Sequence, residues 1–292
     1  MKTVRELLTQ GYRKLFLAEV DTPFLDAAVL LAFAMGVSKE KVLASLPDPV
    51  DEESELRFQT HLNTRAAGMP VSYIRRTKEF FGLDFYVDER VLVPRPDTET
   101  LVEKVLELRR ADPQMRDVHD ACTGSGCVAI ALKHAAPELR VSASDISAAA
   151  AEVFGMNADR LLGGRSLPFR LSDLLQDLTE EFDVITANPP YLRDDEVDGM
   201  VKIGWPEPPL SLRGGADGTQ VTARLIRSAP SRLRPGGWLV LEAAPDQFLK
   251  LFAIMDQAGF RHIEVDRDLA GRQRVISGRR ETGPRQWGFA DG

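Results

Sequence analysis

The chain has 292 residues, of which 43% are hydrophobic and 28% charged, a composition typical of globular proteins. Its formal net charge is -7 and its pI about 5.3, which argues against a protein that grips nucleic acid mainly through phosphates. Only two cysteines occur, Cys122 and Cys127, which excludes a disulfide framework. Neither Cys nor His residues show metal-ligand spacing, so we expect no bound metal.

The first residues, MKTVRELLTQGYRKLF, mix charges with apolar side chains and lack the continuous apolar core of a signal peptide. No later apolar run approaches the length of a membrane span. We therefore expect a cytoplasmic protein with no membrane partner.

Helical periodicity runs from Thr3 to about Arg65, with breaks at 21–23, Gly36 and 47–49. This pattern predicts a small all-α domain over residues 1–70. From Val71 onward the apolar residues alternate around Gly82, which predicts a β-hairpin linker over residues 71–97.

After Thr98 short apolar runs alternate with helical stretches, and we assign residues 98–292 to one catalytic domain. The predicted strands are 118–121, 140–144, 169–171, 182–187, 238–242, 262–265 and 274–277. The predicted helices are 127–136, 147–161, 219–233 and 246–258. This order favours an α/β fold with a seven-stranded, mostly parallel sheet and an antiparallel pair at one edge.

The stretch DACTGSGCVAIAL places Asp120 at the end of the first sheet strand and Gly124 and Gly126 in the turn before a helix. Glycines let a ligand approach the backbone, and helix-start N–H groups favour polar or anionic ligand groups. Asp145 ends the next strand, where an acid binds ribose hydroxyls in nucleotide sites. Asp173 ends the third strand at the same sheet edge, although alone it could be a helix cap.

The fourth strand ends in ANPPY, residues 187–191, and the same topology turns this segment toward the cleft. The two prolines make it stiff and extended, so it cannot continue the strand. Asn188 Oδ1 and the Pro189 carbonyl can each accept one hydrogen of a planar NH₂ group, and Tyr191 can stack on its plane. Two such acceptors would favour the form of the nitrogen whose lone pair points at an electrophile.

Six segments occur in a characteristic order behind the helical domain: VLVPRPDTETLVE, DACTGSGCVAIAL, SASDIS, ANPPYL, EPPLSLRGGADG and LRPGGWLVLE. This ordered set, spread over nearly the whole chain, resembles the HemK/PrmC type of protein-glutamine methyltransferase. The resemblance implies a Rossmann-like methyltransferase fold that uses S-adenosylmethionine and releases S-adenosylhomocysteine. It also implies methylation of the glutamine amide in the Gly-Gly-Gln loop of peptide chain release factors, with no direct nucleic-acid specificity.

The resemblance also implies site residues. Those expected to hold the methionine and ribose parts of the cofactor are Cys122, Thr123, Gly124, Ser125, Gly126 and Asp145. Asp173 and Leu174 should border the adenine, and Asn188 should also lie near the cofactor. The substrate glutamine should bind Asn188, Pro189, Pro190 and Tyr191, of which Asn188, Pro189 and Tyr191 are the expected catalytic residues. The run from Pro94 to Glu99 should cover the site, without an assigned role for Arg95.

The sequence departs from the family pattern at three places. Ala121 and Cys122 stand where Leu and Gly are more usual, which narrows the glycine turn slightly. LEAAPDQ replaces the usual E-I-G stretch, and Leu174 is aromatic in some relatives, which weakens stacking on adenine. None of these changes removes a residue that the proposed chemistry requires.

Three other functions remain open at this point. A glutamine methyltransferase of a ribosomal protein shares the cofactor site and the socket for the amide. A DNA adenine methyltransferase could place an exocyclic amine there, but it would need base flipping and a basic recognition region. An NAD-dependent dehydrogenase or an idle binding module would leave ANPPY unexplained. We expect the amino-terminal helices to dock the protein substrate.

Overall fold

The computed structural model describes residues 1–164 and 167–281, which fall into two compact units. The first unit comprises Met1–Thr77, Val87–Glu89 and Met200–Pro206. The second comprises Lys78–Tyr86, Arg90–Gly199 and the described residues from Glu207 onward.

The first unit is mainly helical, as predicted. Its helices are α1 (Val4–Leu17), α2 (Pro23–Met35), α3 (Lys39–Ala44), α4 (Glu52–Ala66) and α5 (Val71–Arg75). A capping box between Thr3 and Glu6 begins α1, and Gly36, with a φ of 66°, ends α2. The apolar faces of α1, α2 and α4 meet in a core of fully buried side chains that includes Leu7, Leu30 and Phe58.

The predicted hairpin is shorter than expected from the sequence. Its strands are β1 (Lys78–Phe80) and β2 (Leu83–Phe85), which pair antiparallel. The residues from Val71 to Arg75 are helical, so alternation was the wrong interpretation for them. Pro70 begins this helix, because its carbonyl accepts the amides of Tyr73 and Ile74 at 3.1 Å each.

The rest of the second unit alternates helices and strands, and only the last three residues of one helix, 200–202, belong to the first unit. In chain order these are α6 (Glu99–Ala111), β3 (Asp117–Ala121), α7 (Cys127–Ala135), β4 (Arg140–Asp145), α8 (Ala148–Leu162), β5 (Phe169–Leu171), β6 (Phe182–Ala187), α9 (Asp194–Lys202), α10 (Gln220–Ser228), β7 (Leu233–Glu242), α11 (Phe248–Gln257), β8 (Phe260–Arg267) and β9 (Gln273–Arg280).

All seven predicted strands are present in one sheet of order β5-β4-β3-β6-β7-β9-β8. Strands β3 to β7 are parallel to one another, whereas β9 is antiparallel to both β7 and β8. The strand order reverses between β3 and β6, because the chain moves outward to β5 and then returns to the other side. Such a reversal creates a ligand cleft at the carboxyl ends of the strands.

Two predicted boundaries were wrong. The helix expected over 219–233 ends at Ser228, and a short 3₁₀ turn follows over Ala229–Ser231 because Pro230 cannot continue the α-helical hydrogen bonding. Strand β7 begins at Leu233, before the glycines that were expected only to stop a helix. Gly237 is needed there because a Cβ would lie 2.9 Å from the Asp183 carbonyl oxygen.

Candidate active site

A cavity of about 200 Å³ opens at the strand reversal, within the second unit. It brings together residues that are far apart in the chain but were predicted to meet: Cys122, Gly124, Asp145, Asp173, Leu174, Asn188 and Pro190. A smaller adjoining space is lined by the whole turn from Cys122 to Ser125 and by Asn188. Gly126 does not line either space.

The glycine turn between β3 and α7 is held by backbone hydrogen bonds. The Thr123 amide donates to the Ser144 carbonyl at 3.0 Å, and the Gly126 amide donates to the Thr123 carbonyl at 2.9 Å. Gly126 has a φ of 83°, and a Cβ there would lie 2.7 Å from Phe154 Cδ2. A Cβ on Gly124 would meet nothing within 4 Å, so the backbone there is open to a ligand.

Asp145, at the end of β4, is half-buried beside this turn. Its Oδ2 accepts the Gly124 amide and its Oδ1 accepts the Ser147 amide, both at 2.9 Å. Burial raises the pKa of this carboxyl, and those backbone hydrogen bonds oppose the rise. Each oxygen keeps a further lone pair, so the carboxylate is fixed in place and can still accept hydroxyl donors from a ligand.

The two cysteines of the turn are unsuited to nucleophilic chemistry. Burial raises the pKa of Cys127 to about 12 and raises that of Cys122 well above its ordinary value. Asp145 and Asp120 add to the effect on Cys122 by repelling a thiolate. Cys122 also has a φ of 57°, so its backbone adopts the left-handed conformation for which Gly is usual.

Asp120 is a site residue to which the sequence assigned a position but no role. It is 1% exposed, accepts a hydrogen bond from the Thr123 hydroxyl at 2.5 Å, and lines the smaller space beside Gly124. Burial raises its pKa to about 7. The sequence feature that could have indicated a role for Asp120 is an acidic residue at the end of the strand that leads into a glycine turn.

Asp173 was predicted at the cavity, but its partner was not. The guanidinium of Arg224, on α10, lies 2.6 Å from the Asp173 carboxylate, and both residues line the cavity. Leu174 follows with a φ of 56° and is 7% exposed. The part of the cavity that the sequence predicts for adenine is therefore lined by this ion pair and by a leucine, where some relatives have an aromatic ring.

The ANPPY turn follows β6 and borders the same cavities. Asn188 is half-buried, and its Nδ2 donates to the Thr98 hydroxyl at 3.2 Å, which leaves its Oδ1 for another partner. Pro189 and Tyr191 line a further space together with Leu92 and Arg95. In the part of the chain that the structure describes, no donor hydrogen-bonds to the Pro189 carbonyl. Burial raises the pKa of Tyr191 to about 12, so its hydroxyl stays neutral.

Two glycines of the EPPLSLRGGADG segment support this turn from behind. A Cβ on Gly214 would lie 2.8 Å from the Pro190 carbonyl oxygen, and one on Gly218 would collide with the Tyr191 carbonyl oxygen. Gln247 Nε2 also donates to that Tyr191 carbonyl at 2.9 Å. Sequence reasoning noted the segment but not this contact, since its partners are more than twenty residues apart.

The run from Pro94 to Glu99 is anchored by its polar side chains. Arg95 lies 2.6 Å from Glu207, and Asp97 lies 2.8 Å from Arg274. Glu99 Oε1 accepts the amide of Phe81 at 3.0 Å, while Thr98 contacts the ANPPY turn. Arg95, to which the sequence assigned no role, is therefore paired with Glu207.

Comparison with known proteins places this architecture in a class. The family models described as "PrmC N-terminal domain" and "Methyltransferase small domain" match residues 6–75 and 96–204. A methyltransferase structure from Pyrococcus furiosus has a TM-score of 0.52 and 16% identity, covering 69% of this chain and 91% of that one. The fold is that of a methyltransferase.

Closer relatives define the family within that class. A protein of Moorella thermoacetica named release factor glutamine methyltransferase is 38% identical over 94% of this chain and 97% of its own length. Its namesake from Cereibacter sphaeroides is also 38% identical, with the same coverage. The chain belongs to the family of release factor glutamine methyltransferases.

Within residues 1–164 and 167–281, no helix is both long and apolar enough to cross a membrane. No cluster of three or more His, Cys, Asp or Glu side chains there is suited to hold a metal ion.

Proposed function

We propose that this chain transfers a methyl group from S-adenosylmethionine to the side-chain amide nitrogen of the glutamine in the Gly-Gly-Gln loop of a peptide chain release factor. The observation that carries the proposal is the ANPPY turn, whose Asn188 borders the same cavity as Gly124 and Asp145. Relatives named for this activity match nearly the whole chain.

The cavity suits S-adenosylmethionine in its chemistry. Cys122 to Gly126 provide the glycine turn, with open space above Gly124 for close approach of the ligand. Asp145 accepts the ribose hydroxyls, and Asp173 and Leu174 border the adenine. The cofactor supplies a methyl group on a positively charged sulfur, and Tyr191 provides an aromatic ring at the further space that it lines with Pro189 and Arg95.

The amide nitrogen of glutamine is a poor nucleophile because its lone pair is delocalised into the carbonyl. Asn188 Oδ1 and the Pro189 carbonyl accept its two hydrogens and hold the NH₂ group in one orientation. Acceptors fixed before the reaction stabilise the positive charge that develops on this nitrogen, without any reorganisation. The proton leaves after the nitrogen has been methylated.

The helical unit, residues 1–70, is proposed to dock the release factor. All the residues proposed to hold the cofactor lie after residue 117, in the second unit. In the chain, the hairpin and linker over residues 71–97 join the proposed docking unit to the part proposed to bind the cofactor.

The test incubates purified enzyme, release factor and isotopically labelled S-adenosylmethionine, and locates the label by peptide fragmentation. Label on the glutamine of Gly-Gly-Gln supports the proposal. Asn188→Ala should lower turnover by about 10²-fold or more, the scale for one preorganised polar contact. Asn188→Asp keeps an acceptor oxygen and should be less damaging. Label on a ribosomal-protein glutamine only, on DNA adenine, or on no macromolecule would reject the proposal.

A further inference from the structure

The carboxyl of Glu242 is buried next to the ANPPY turn and has no assigned task. It is 1% exposed, at the end of β7. Within the described residues, neither of its carboxylate oxygens has a hydrogen-bond partner. A buried carboxyl without a donor is costly, so its presence calls for a reason.

The strand register places Glu242 beside Asn188. Ala187 of β6 pairs with Leu241 of β7, and both side chains pack into the core on one face of the sheet. Because side chains alternate along a strand, the next position of each chain, Asn188 and Glu242, belongs to the opposite face. The amide and the carboxyl are therefore neighbours across two parallel strands.

Thr98 acts on both residues, through a hydrogen bond with Asn188 and electrostatically with Glu242. It is 2% exposed, and its hydroxyl accepts a hydrogen bond from Asn188 Nδ2 at 3.2 Å. Among the groups that favour the charged form of Glu242, the Thr98 hydroxyl acts most strongly. Thr98 makes no side-chain cap for α6, so its hydroxyl oxygen accepts no backbone amide of that helix and is available to Asn188.

A hydroxyl has one proton to donate and can accept in addition, so its partners decide the direction of each bond. If the Thr98 proton goes to Glu242, Thr98 can only accept from Asn188. The carboxamide must then present Nδ2 to Thr98 and Oδ1 to the substrate. If the Thr98 proton is free, it can instead donate to Asn188 Oδ1, which would turn an NH₂ donor toward the substrate amide.

We propose that Thr98 and Glu242 are positioning residues that fix the Asn188 carboxamide with its Oδ1 toward the substrate nitrogen. The negative charge of Glu242 orients the Thr98 hydroxyl so that its proton points toward the carboxylate, and Thr98 then presents its oxygen lone pairs to Asn188 Nδ2. This inference rests on the proposed function, because the orientation matters for a reaction at an NH₂ group.

The proposal predicts a dependence on pH. Burial raises the pKa of Glu242 to about 7, while Thr98 and Arg274 oppose the rise. The other charged or titratable groups that act electrostatically with Glu242 are Asp97, Arg95, Tyr191 and Cys127. Protonation of Glu242 removes the negative charge that orients the Thr98 hydroxyl, so turnover should fall as the pH drops below about 7.

The kinetic test compares four enzymes on release factor at pH 8.5. Thr98→Val should lower kcat by about tenfold or more without changing the Kd for S-adenosylmethionine, since the loss is one of orientation. Thr98→Ser should recover most of kcat. Thr222→Val, at another fully buried threonine whose hydroxyl has no partner in the described structure, is the matched control and should behave as wild type. A wild-type kcat in Thr98→Val, or equal damage in Thr98→Ser, would overturn the proposal.

A second test does not need turnover. The Asn188 side-chain amide signals in a ¹H–¹⁵N NMR spectrum are assigned by their loss in Asn188→Asp. They should shift with a midpoint near pH 7 in the wild type and stay constant in Glu242→Gln. If they do not move in the wild type, or move equally in Glu242→Gln, the proposal is wrong. An enzyme inactive on release factor that still gives the expected shift would refute the proposed function alone.

Discussion

The guanidinium of Arg95 lies 2.6 Å from Oε2 of Glu207, whose side chain is only 1% exposed. The other oxygen of the same carboxylate, Oε1, accepts the Val93 amide at 3.1 Å. One buried carboxylate thus ties the chain before α6 to the segment that supports the ANPPY turn. These contacts hold in place the run from Pro94 to Glu99, which the sequence predicts to cover the site.

Arg95→Ala should lower the free energy of unfolding by about 1 to 2 kcal/mol. The loss is smaller than for a fully buried pair, because the Arg95 side chain is 42% exposed and screened by solvent. Turnover should fall as well, since Arg95 lines the same space as Pro189 and Tyr191. Urea unfolding and steady-state kinetics measure the two effects. Arg193→Ala, which breaks an exposed pair with Asp195, should leave stability unchanged; equal effects of the two variants would contradict the assignment.

Gly126→Ala should destabilise the chain more than Gly271→Ala. Both glycines have a positive φ, 83° and 77°, so both substitutions carry a backbone penalty of about 1 to 2 kcal/mol. Only at Gly126 would the new Cβ also collide with Phe154, while at Gly271 it would meet nothing within 4 Å. The difference between their urea midpoints isolates the collision. Identical midpoints would show that the turn and α8 adjust freely.

Asp145→Ala should weaken the binding of S-adenosylmethionine by about 1 to 3 kcal/mol, the loss of hydrogen bonds to a charged acceptor. Part of the loss arises because the Gly124 and Ser147 amides lose their acceptor. Isothermal titration calorimetry measures the affinity. Asp159→Ala, at an exposed position of α8, is the control for removing a charge. Unchanged affinity in Asp145→Ala would remove this carboxylate from the cofactor site.

His119 should make stability fall in mild acid. It lies buried between the hydroxyls of Ser142 and Ser144, at 2.9 and 2.8 Å, and burial lowers its pKa to about 4. The unfolded chain binds a proton near pH 6.5, so stability is lost as the pH falls from about 6.5 toward 4. Between pH 8 and pH 5 the loss is about 2 kcal/mol.

The difference in unfolding free energy between wild type and His119→Gln isolates this contribution. The comparison with this variant is needed because Asp120 affects stability in the opposite direction. Its pKa is raised to about 7, so its contribution to the free energy of unfolding is lost as the pH rises. The wild type should lose more stability than His119→Gln on going from pH 8 to pH 5. Parallel pH curves for the two proteins would show that His119 takes up its proton in the same pH range in the folded protein as in the unfolded chain.

The proposed docking role of the helical unit can be tested without truncation. Tyr12 and Phe16 on α1 stack with ring centroids 5.8 Å apart and are 39% and 59% exposed. Replacing both with serine should raise KM for intact release factor and leave KM for a short Gly-Gly-Gln peptide unchanged. Leu56→Ser, at a residue of α4 that is 69% exposed, controls for a loss of exposed apolar surface. If the double variant and the wild type have equal KM values for intact release factor, Tyr12 and Phe16 are not part of the docking surface.

Local sequence patterns predicted the sheet well because each strand is a short apolar run bounded by turn residues. The carboxyl-edge rule then brought Gly124, Asp145 and Asn188 to one cavity without any knowledge of side chains. Helix α6 was missed although Leu101, Val105 and Leu108 are spaced helically, because it begins at Thr98 without a side-chain cap. Helix α9 was missed because its nine residues bury only Val197.

Partners far apart in the chain could not be predicted. Arg95 with Glu207 and Asp173 with Arg224 are pairs separated by 112 and 51 residues. A sequence contains many charged residues that could fill either place, and only the folded backbone selects among them. The conformation of Cys122 was equally hidden, since a non-glycine residue with positive φ has no sequence signal.

The position of β9 has a consequence for the order in which the enzyme is built during synthesis. This strand enters the sheet between β7 and β8, although β8 precedes it in the chain. It also carries Arg274, whose guanidinium holds Asp97 beside the ANPPY turn. A nascent chain whose residues 273–280 have not yet left the ribosome lacks both the strand that joins β8 to β7 and this contact. Strands β3 to β6, which carry the residues proposed to hold S-adenosylmethionine, can pair earlier, so the capacity to bind it should precede the capacity to methylate.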